Sequence, residues 1–210
     1  MALNIVSVKY KGNTAIVVCS NDEIFSVSLK AAAEMQIFGS GELNDEGERL
    51  LRAESEQYKC LQKATRYLSL RNRSVKEMKT YLAGKGFAAQ SIDTTINYLS
   101  DNSLLDDAVF AKEFLAAAFR KQKFGRRKIT AELMKKGISK DIITELMPNE
   151  FEVDAEYERG MAAALKKWKV LAGKENSTQK LSAFLKQRGF DWNIIRRIIK
   201  TLSEEQTDLL

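Results

Sequence analysis

The 210-residue chain contains no histidine, and that absence excludes more chemistry than any motif supplies. It removes Ser-His-Asp and Cys-His catalysis, histidine metal centres and a histidine general base together. There are two cysteines, Cys19 and Cys60, far apart and in different expected elements, so buried, reduced thiols are expected and no spacing suggests zinc. No apolar run reaches the length of a membrane span, and Met1 to Tyr10 lacks the basic start and apolar core of a secretory signal. The expectation is a cytoplasmic protein with no membrane partner. A phosphate-binding glycine loop is missing too, because the one glycine cluster, Gly39-Ser40-Gly41, follows a helix-like segment and reads as a turn. The adjacent acids Asp106-Asp107 read as the capped, charged start of a helix rather than an acid–base pair. An enzyme would need unfamiliar chemistry, and no cofactor or metal is expected.

What the sequence does contain is a repeat. Ser74–Phe87, Gly125–Ile138 and Ser177–Phe190 superpose without a gap, each ending in a basic residue, a glycine and a large apolar residue: Lys85-Gly86-Phe87, Lys136-Gly137-Ile138 and Arg188-Gly189-Phe190. A glycine just past a helix can take the left-handed conformation that ends it, and the next apolar residue then folds back on the last turn. The count places Phe87 on Leu82, Ile138 on Leu133 and Phe190 on Leu185. Met78, Ile129 and Leu181 form the matched row one turn earlier. Lys85, Lys136 and Arg188 fall where free carbonyls and the helix dipole favour a cation.

After each stop a second helix follows, carrying Ile92, Ile143 and Ile195, then Ile96, Met147 and Ile199. Ser139 and Asp191 are its expected N-caps, whereas Ala88 leaves capping to water or Ser91. Upstream runs (Leu61, Ala64, Leu68; Phe110, Phe114, Ala118; Met161, Leu165, Trp168) predict a leading helix in each unit. Three helices of roughly three turns, about 18 Å each, make one unit. Ser74 with Glu77 forms a capping box for the first middle helix, and Gly125 and Ser177 hold the equivalent starts.

Strand signals are confined to residues 4–28, where Lys11-Gly12-Asn13 and Ser20-Asn21-Asp22 predict the turns of a three-stranded meander. Such a piece needs support from the helix expected at about Leu29–Phe38 or from the first repeat. It could serve as a cap on the array or bind a partner. The expected fold is therefore mainly α: a β-meander and short helix (1–43), three-helix repeats at 44–103, 104–150 and 151–203, and a frayed tail (204–210). Stacked repeats predict an elongated, curved body. Pro148 and an acidic stretch to Asp154 mark the passage from the second repeat to the third.

Charge is uneven along the chain. The formal net charge is +6, yet residues 1–59 carry more acids than bases, so the excess belongs to the repeats. Arg120, Lys121, Lys123, Arg126, Arg127, Lys128, Lys135, Lys136 and Lys140 face a single acid, Glu132, before Asp141. Like charges at that density disfavour the compact state, and a polyanion or an acidic protein groove is their natural counterpart.

These residues resemble a known family. Arg66-Tyr67-Leu68, Arg73-Ser74 with Glu77, Lys85-Gly86-Phe87 and Leu105-Asp106-Asp107 are similar to the signature of the RecX family of recombination regulators. Phe124-Gly125-Arg126-Arg127-Lys128-Ile129 with Glu132-Leu133 carries the likeness into the second unit, and Arg188-Gly189-Phe190 carries a weaker form of it into the third. The family often has a proline after the glycine of the second unit, where this chain runs straight into Arg126. The resemblance implies a non-catalytic modulator, active as a monomer, that binds the RecA recombinase filament on DNA. It would oppose filament growth, ATP hydrolysis and strand exchange in DNA repair, recombination and the SOS response. Expected contacts to the filament or to DNA phosphates are Arg66, Arg73, Lys76, Arg120, Lys123, Arg126, Arg127, Lys128, Lys135 and Lys136. Each has a second reading as solvated surface, and Tyr67, Tyr81, Phe184 and Trp192 read as core rather than stacking platforms. The competing function is a stand-alone basic DNA-binding repeat module, because helix pairs about a glycine turn resemble helix-turn-helix.

Overall fold

Alternating apolar residues at the amino terminus build a sheet that one long helix closes. In the computed structural model, residues 3–121, 123–147, 153–171 and 173–207 are described. Strands β1 (Leu3–Lys11), β2 (Thr14–Cys19) and β3 (Ile24–Ser28) form the expected meander, with Gly12-Asn13 as its first turn. A fourth strand, β4 (Gly41–Leu43), pairs antiparallel with Leu3–Ile5, giving the order β3-β2-β1-β4 rather than a three-stranded sheet. Three residues are too few to show a periodicity, so the sequence carried no sign of it. The helix expected to reach Phe38 is also shorter: α1 spans Leu29–Glu34, started by the Ser28 hydroxyl accepting from the Ala31 amide at 3.0 Å.

One face of the sheet (Ile5, Ala15, Val17, Cys19, Phe25, Val27) is buried with Ala31, Ala32 and Ile37 and with Leu51 of α2 (Asp45–Leu68). The buried Ser55 hydroxyl of α2 accepts the Ser26 amide at 3.1 Å, and Tyr58 meets the Thr14 hydroxyl at 2.6 Å. The first of these bonds satisfies an amide on the β3 edge that would otherwise template pairing with another strand, and the second ties α2 to the start of β2. Both cysteines are buried free thiols whose pKa is raised, chiefly by burial.

The remaining helices fall in threes. With α2 come α3 (Val75–Ala83) and α4 (Ala89–Asp101); then α5 (Asp107–Lys121), α6 (Arg126–Lys135) and α7 (Lys140–Leu146); then α8 (Val153–Leu171), α9 (Ser177–Gln187) and α10 (Trp192–Thr207). The chain divides into two compact units, residues 1–105 and 106–210. The helices are not equal three-turn rods. The leading helix α2 has 24 residues, about 36 Å, whereas α7 has seven. Pro148 and most of the acidic stretch after it lie outside the described residues.

The three stops are alike in detail. Gly86, Gly137 and Gly189 have φ of 84°, 89° and 82°, and the amides of Phe87, Ile138 and Phe190 donate to the carbonyls of Leu82, Leu133 and Leu185 at 3.5, 3.1 and 3.2 Å. Each glycine amide bonds one residue further along, to Ala83, Met134 and Lys186, which completes the six-to-one and five-to-two pattern. Leu82, Leu133 and Leu185 are fully buried, and burying each contributes about 2 kcal/mol. Capping follows the sequence at Ser74, Ser139, Asp191 and Asp106, whose side-chain oxygens accept amides of α3, α7, α10 and α5. At Ala88 neither Ser91 nor a cap of its own helix is used; Glu56 of α2 accepts the Ala88 amide at 2.8 Å. Asn176, left-handed at φ 57°, precedes α9 in place of a side-chain cap at Ser177.

In α8 the expected Met161 and Trp168 pack against the core, but Leu165 of the same run is exposed, and the buried apolar residues are Ala163, Ala164 and Leu171. Small residues let α8 approach α10 closely: a Cβ on Gly160 would lie 2.6 Å from Ile198 Cδ1. Among the described residues no helix is long and apolar enough to cross a membrane.

Candidate partner-binding interface

The ten candidate basic residues divide between the two units. In the first, Arg66 lies exposed in the last turn of α2 and Lys76 exposed in the first turn of α3. Arg73 is half-buried. Its guanidinium carbon stands 3.8 Å from the Tyr67 ring centroid, Tyr67 stacks on Tyr81 at 3.9 Å and 9°, and Lys85 Nζ lies 5.5 Å from the Tyr81 ring. The result is a column of cation, ring, ring and cation, each end held by the quadrupole of a tyrosine face. Arg73 Nε is buried without a hydrogen-bond partner. Arg71, a further cation of this unit outside the expected set, pairs with Glu77 at 3.1 Å.

In the second unit the start of α6 is seated on the stop of the third repeat. The Gly125 amide donates to the Arg188 carbonyl at 2.9 Å, and the Arg127 amide donates to the Gly189 carbonyl at 3.1 Å. The Arg126 amide donates to the buried Glu156 carboxylate at 2.9 Å. Arg188 Nη1 reaches the Lys123 carbonyl at 3.3 Å, and Arg127 Nη2 pairs with Asp191 at 2.8 Å. Three of the donors that a helix start leaves open are thus occupied, while the side chains of Arg126 and Arg127 stay exposed.

The other candidates surround this seat or lie further along α6. Arg120 and Lys123 are exposed at the end of α5 and in the loop after it, and Lys135 is exposed at the end of α6. Lys128 is half-buried and pairs with Glu132 at 3.3 Å. Lys136 is half-buried, its Nζ 5.6 and 5.9 Å from the rings of Phe110 and Phe114. Exposure therefore divides the set: Arg66, Lys76, Arg120, Lys123, Arg126, Arg127 and Lys135 are exposed, Arg127 with one nitrogen engaged by Asp191, while Arg73, Lys128 and Lys136 are half-buried. Glu156 and Asp191 orient the α6 start from some thirty and sixty positions away, and nothing local in the sequence connects them to it.

The aromatic residues also depart from the sequence reading in one place. Tyr67, Tyr81 and Phe184 sit at the edges of cores, with Arg188 4.2 Å from the Phe184 ring. Trp192 is not core. It opens α10 with 51% of its surface exposed, because the buried seam of that helix runs through Ile194, Ile195, Ile198 and Leu202.

A chain of glycine-stopped trihelical repeats preceded by a small antiparallel sheet, with cations gathered around the middle repeat, is the class of protein that the fold and site define. Sequence comparison matches the first, second and third three-helix domains of RecX at residues 60–99, 106–147 and 154–199. The regulatory protein RecX of Chlorobium limicola is 34% identical over 143 residues, covering 66% of this chain and 86% of that one. The RecX of Clostridium perfringens strain 13 is 31% identical over 157 residues, covering 73% of each. The chain belongs to the RecX family of regulatory proteins. A crystal structure of regulatory protein RecX matches with a TM-score of 0.77 at 18% identity, covering 93% of this chain and 98% of that one, a likeness of fold. RecX from Lactobacillus salivarius matches with a TM-score of 0.62 at 26% identity over 70% of this chain and 97% of its own.

Proposed function

We propose that this chain is a non-catalytic, cytoplasmic regulator that binds the RecA filament on DNA and opposes its growth, ATP hydrolysis and strand exchange. The observation that carries this reading is the α6 start. Its backbone donors are consumed within the protein, and its arginine side chains are turned outward on a rigid seat. A backbone held in this way presents its cations at set positions to a large acidic assembly, so little backbone freedom remains to be lost on binding. The absence of histidine and the capping role of Asp106 favour binding over chemistry.

The same observation weighs against a stand-alone helix-turn-helix. A recognition helix uses its N-terminal residues in the groove and its open amides on phosphate, and here the amides of Gly125, Arg126 and Arg127 are taken. The test is binding to RecA-coated and to bare single-stranded DNA at rising salt. Pure phosphate binding to a single strand through six or more contacts should weaken about three hundredfold or more between 50 and 200 mM salt. The filament complex is expected to keep a large part of its affinity; equal affinity for bare and coated DNA would refute the proposal.

A further inference from the structure

Between α5 and α6 lies an open crevice of about 360 Å³, floored by Phe114, Ala117, Ala118 and Ile129 and walled by Phe124. Its size falls at the lower end of ligand-binding clefts. Phe110, Ala111, Leu115 and Leu133 fill the core of this repeat without using that space. Two alanines on successive positions of α5 leave room, and Phe124, on the loop between the helices, keeps 36% of its surface exposed. The floor and wall offer no side-chain donor or acceptor. All the polar groups are on the rim: Lys121, Lys128 and Glu132.

Two occupants can be weighed by this chemistry. A nucleobase would stack on phenylalanine, but its hydrogen-bonding edge would be desolvated against alanine and isoleucine with nothing to satisfy it. An apolar protein side chain has no such penalty. The charged lining residues set the charge of whatever carries that side chain: Lys121 is exposed, Lys128 has Glu132 as its partner, and the exposed Arg120 and Lys123 adjoin Lys121 and Phe124 in the chain. From Arg120 to Lys136 Glu132 is the sole acid, so an acidic segment is complementary and a basic one is repelled.

We infer that the crevice between α5 and α6 docks an acidic protein segment by burying one large apolar side chain on Phe114, Ala117 and Ile129, with carboxylates meeting Lys121 and Lys128. The partner's identity rests on the filament reading above; the existence of the site does not. In this arrangement DNA phosphates fall to the outward cations around the α6 start, and the crevice reads protein.

The test uses the full chain and three fluorescein-labelled probes: a ten-residue peptide of glutamates, leucines and one phenylalanine; an equally charged peptide with serines for the apolar residues; and an oligothymidylate. The apolar peptide should bind at least about tenfold more tightly than the serine peptide, the effect of one buried leucine-sized anchor. Ala117→Leu, which fills the crevice, should cost the apolar peptide most of that advantage while leaving oligothymidylate affinity within about twofold. Lys121→Glu, an exposed position that cannot compromise folding through packing, should weaken the apolar peptide about fivefold or more. Equal binding of the two peptides, or a loss in Ala117→Leu confined to the oligothymidylate, would overturn the inference. Because no recombinase is present, failure here is distinct from failure of the filament reading.

Discussion

Gly125 and Gly189 lie back to back, so that a Cβ on Gly125 would stand 2.5 Å from the Gly189 carbonyl oxygen. Two glycines from different repeats thereby fix the distance at which the α6 start meets the turn between α9 and α10. A Cβ on Gly189 would in turn collide with the backbone of Lys128, whereas Gly86, of nearly the same φ, has open space at that point. Gly86→Ala should therefore cost only the left-handed penalty, about 1–2 kcal/mol, and Gly189→Ala about 3 kcal/mol or more. Denaturant unfolding of the two variants checks this, and equal losses would mean the repeats do not meet there.

Arg127 bridges the same junction, yet its side chain is 70% exposed and its pairing with Asp191 is open to water. Exposed pairs contribute little. Arg127→Ala should shift unfolding by less than about 1 kcal/mol while measurably weakening filament binding. A large stability loss would assign Arg127 to folding rather than to the partner.

In the amino-terminal unit the Arg52 guanidinium, followed by the Asn21 amide, holds the Glu23 carboxyl down to about 2. Because the folded value lies below the ordinary carboxylate range, the stabilisation is complete above that range and is lost as pH falls through about 2. Carboxyl-detected NMR should follow Glu23 titrating near 2, and Arg52→Gln should raise it towards the ordinary range, with the Asn21 bond left in place. An unchanged midpoint in the variant would exclude Arg52 as the cause.

Cys19 and Cys60 are free, buried and raised in pKa, so the reactive thiolate is scarce at both. A chromogenic thiol reagent at pH 8 should modify neither in the native protein and both after denaturation. Rapid native labelling of Cys60 would show that α2 opens from α4, since its thiol faces the Ser91 carbonyl at 3.7 Å.

The repeat was legible because its stops use glycine, the residue with no side-chain penalty at positive φ. Two further stops use the same bonds and were not legible. Gln36 (φ 54°) and Ser103 (φ 55°) send Ile37 and Leu104 back to the carbonyls of Ala32 and Leu99, and neither residue announces a left-handed turn. Gln36 is why α1 ended short of its expected limit. The candidate site was legible as charge but not as geometry. Which arginines face outward depends on Glu156, Asp191 and the Arg188–Gly189 carbonyls, partners supplied by another repeat. Trp192 shows the same limit from the other side, since an aromatic at a helix start can as well point outward as inward.

The most direct measurement is RecA ATP hydrolysis on single-stranded DNA, titrated with this protein and with an Arg126→Ala, Arg127→Ala, Lys128→Ala variant. The wild-type chain should suppress hydrolysis, and the variant should need about tenfold more protein or greater for the same suppression, the loss of roughly 1.4 kcal/mol of charge-assisted contact. Undiminished hydrolysis at saturating wild-type protein would contradict the account.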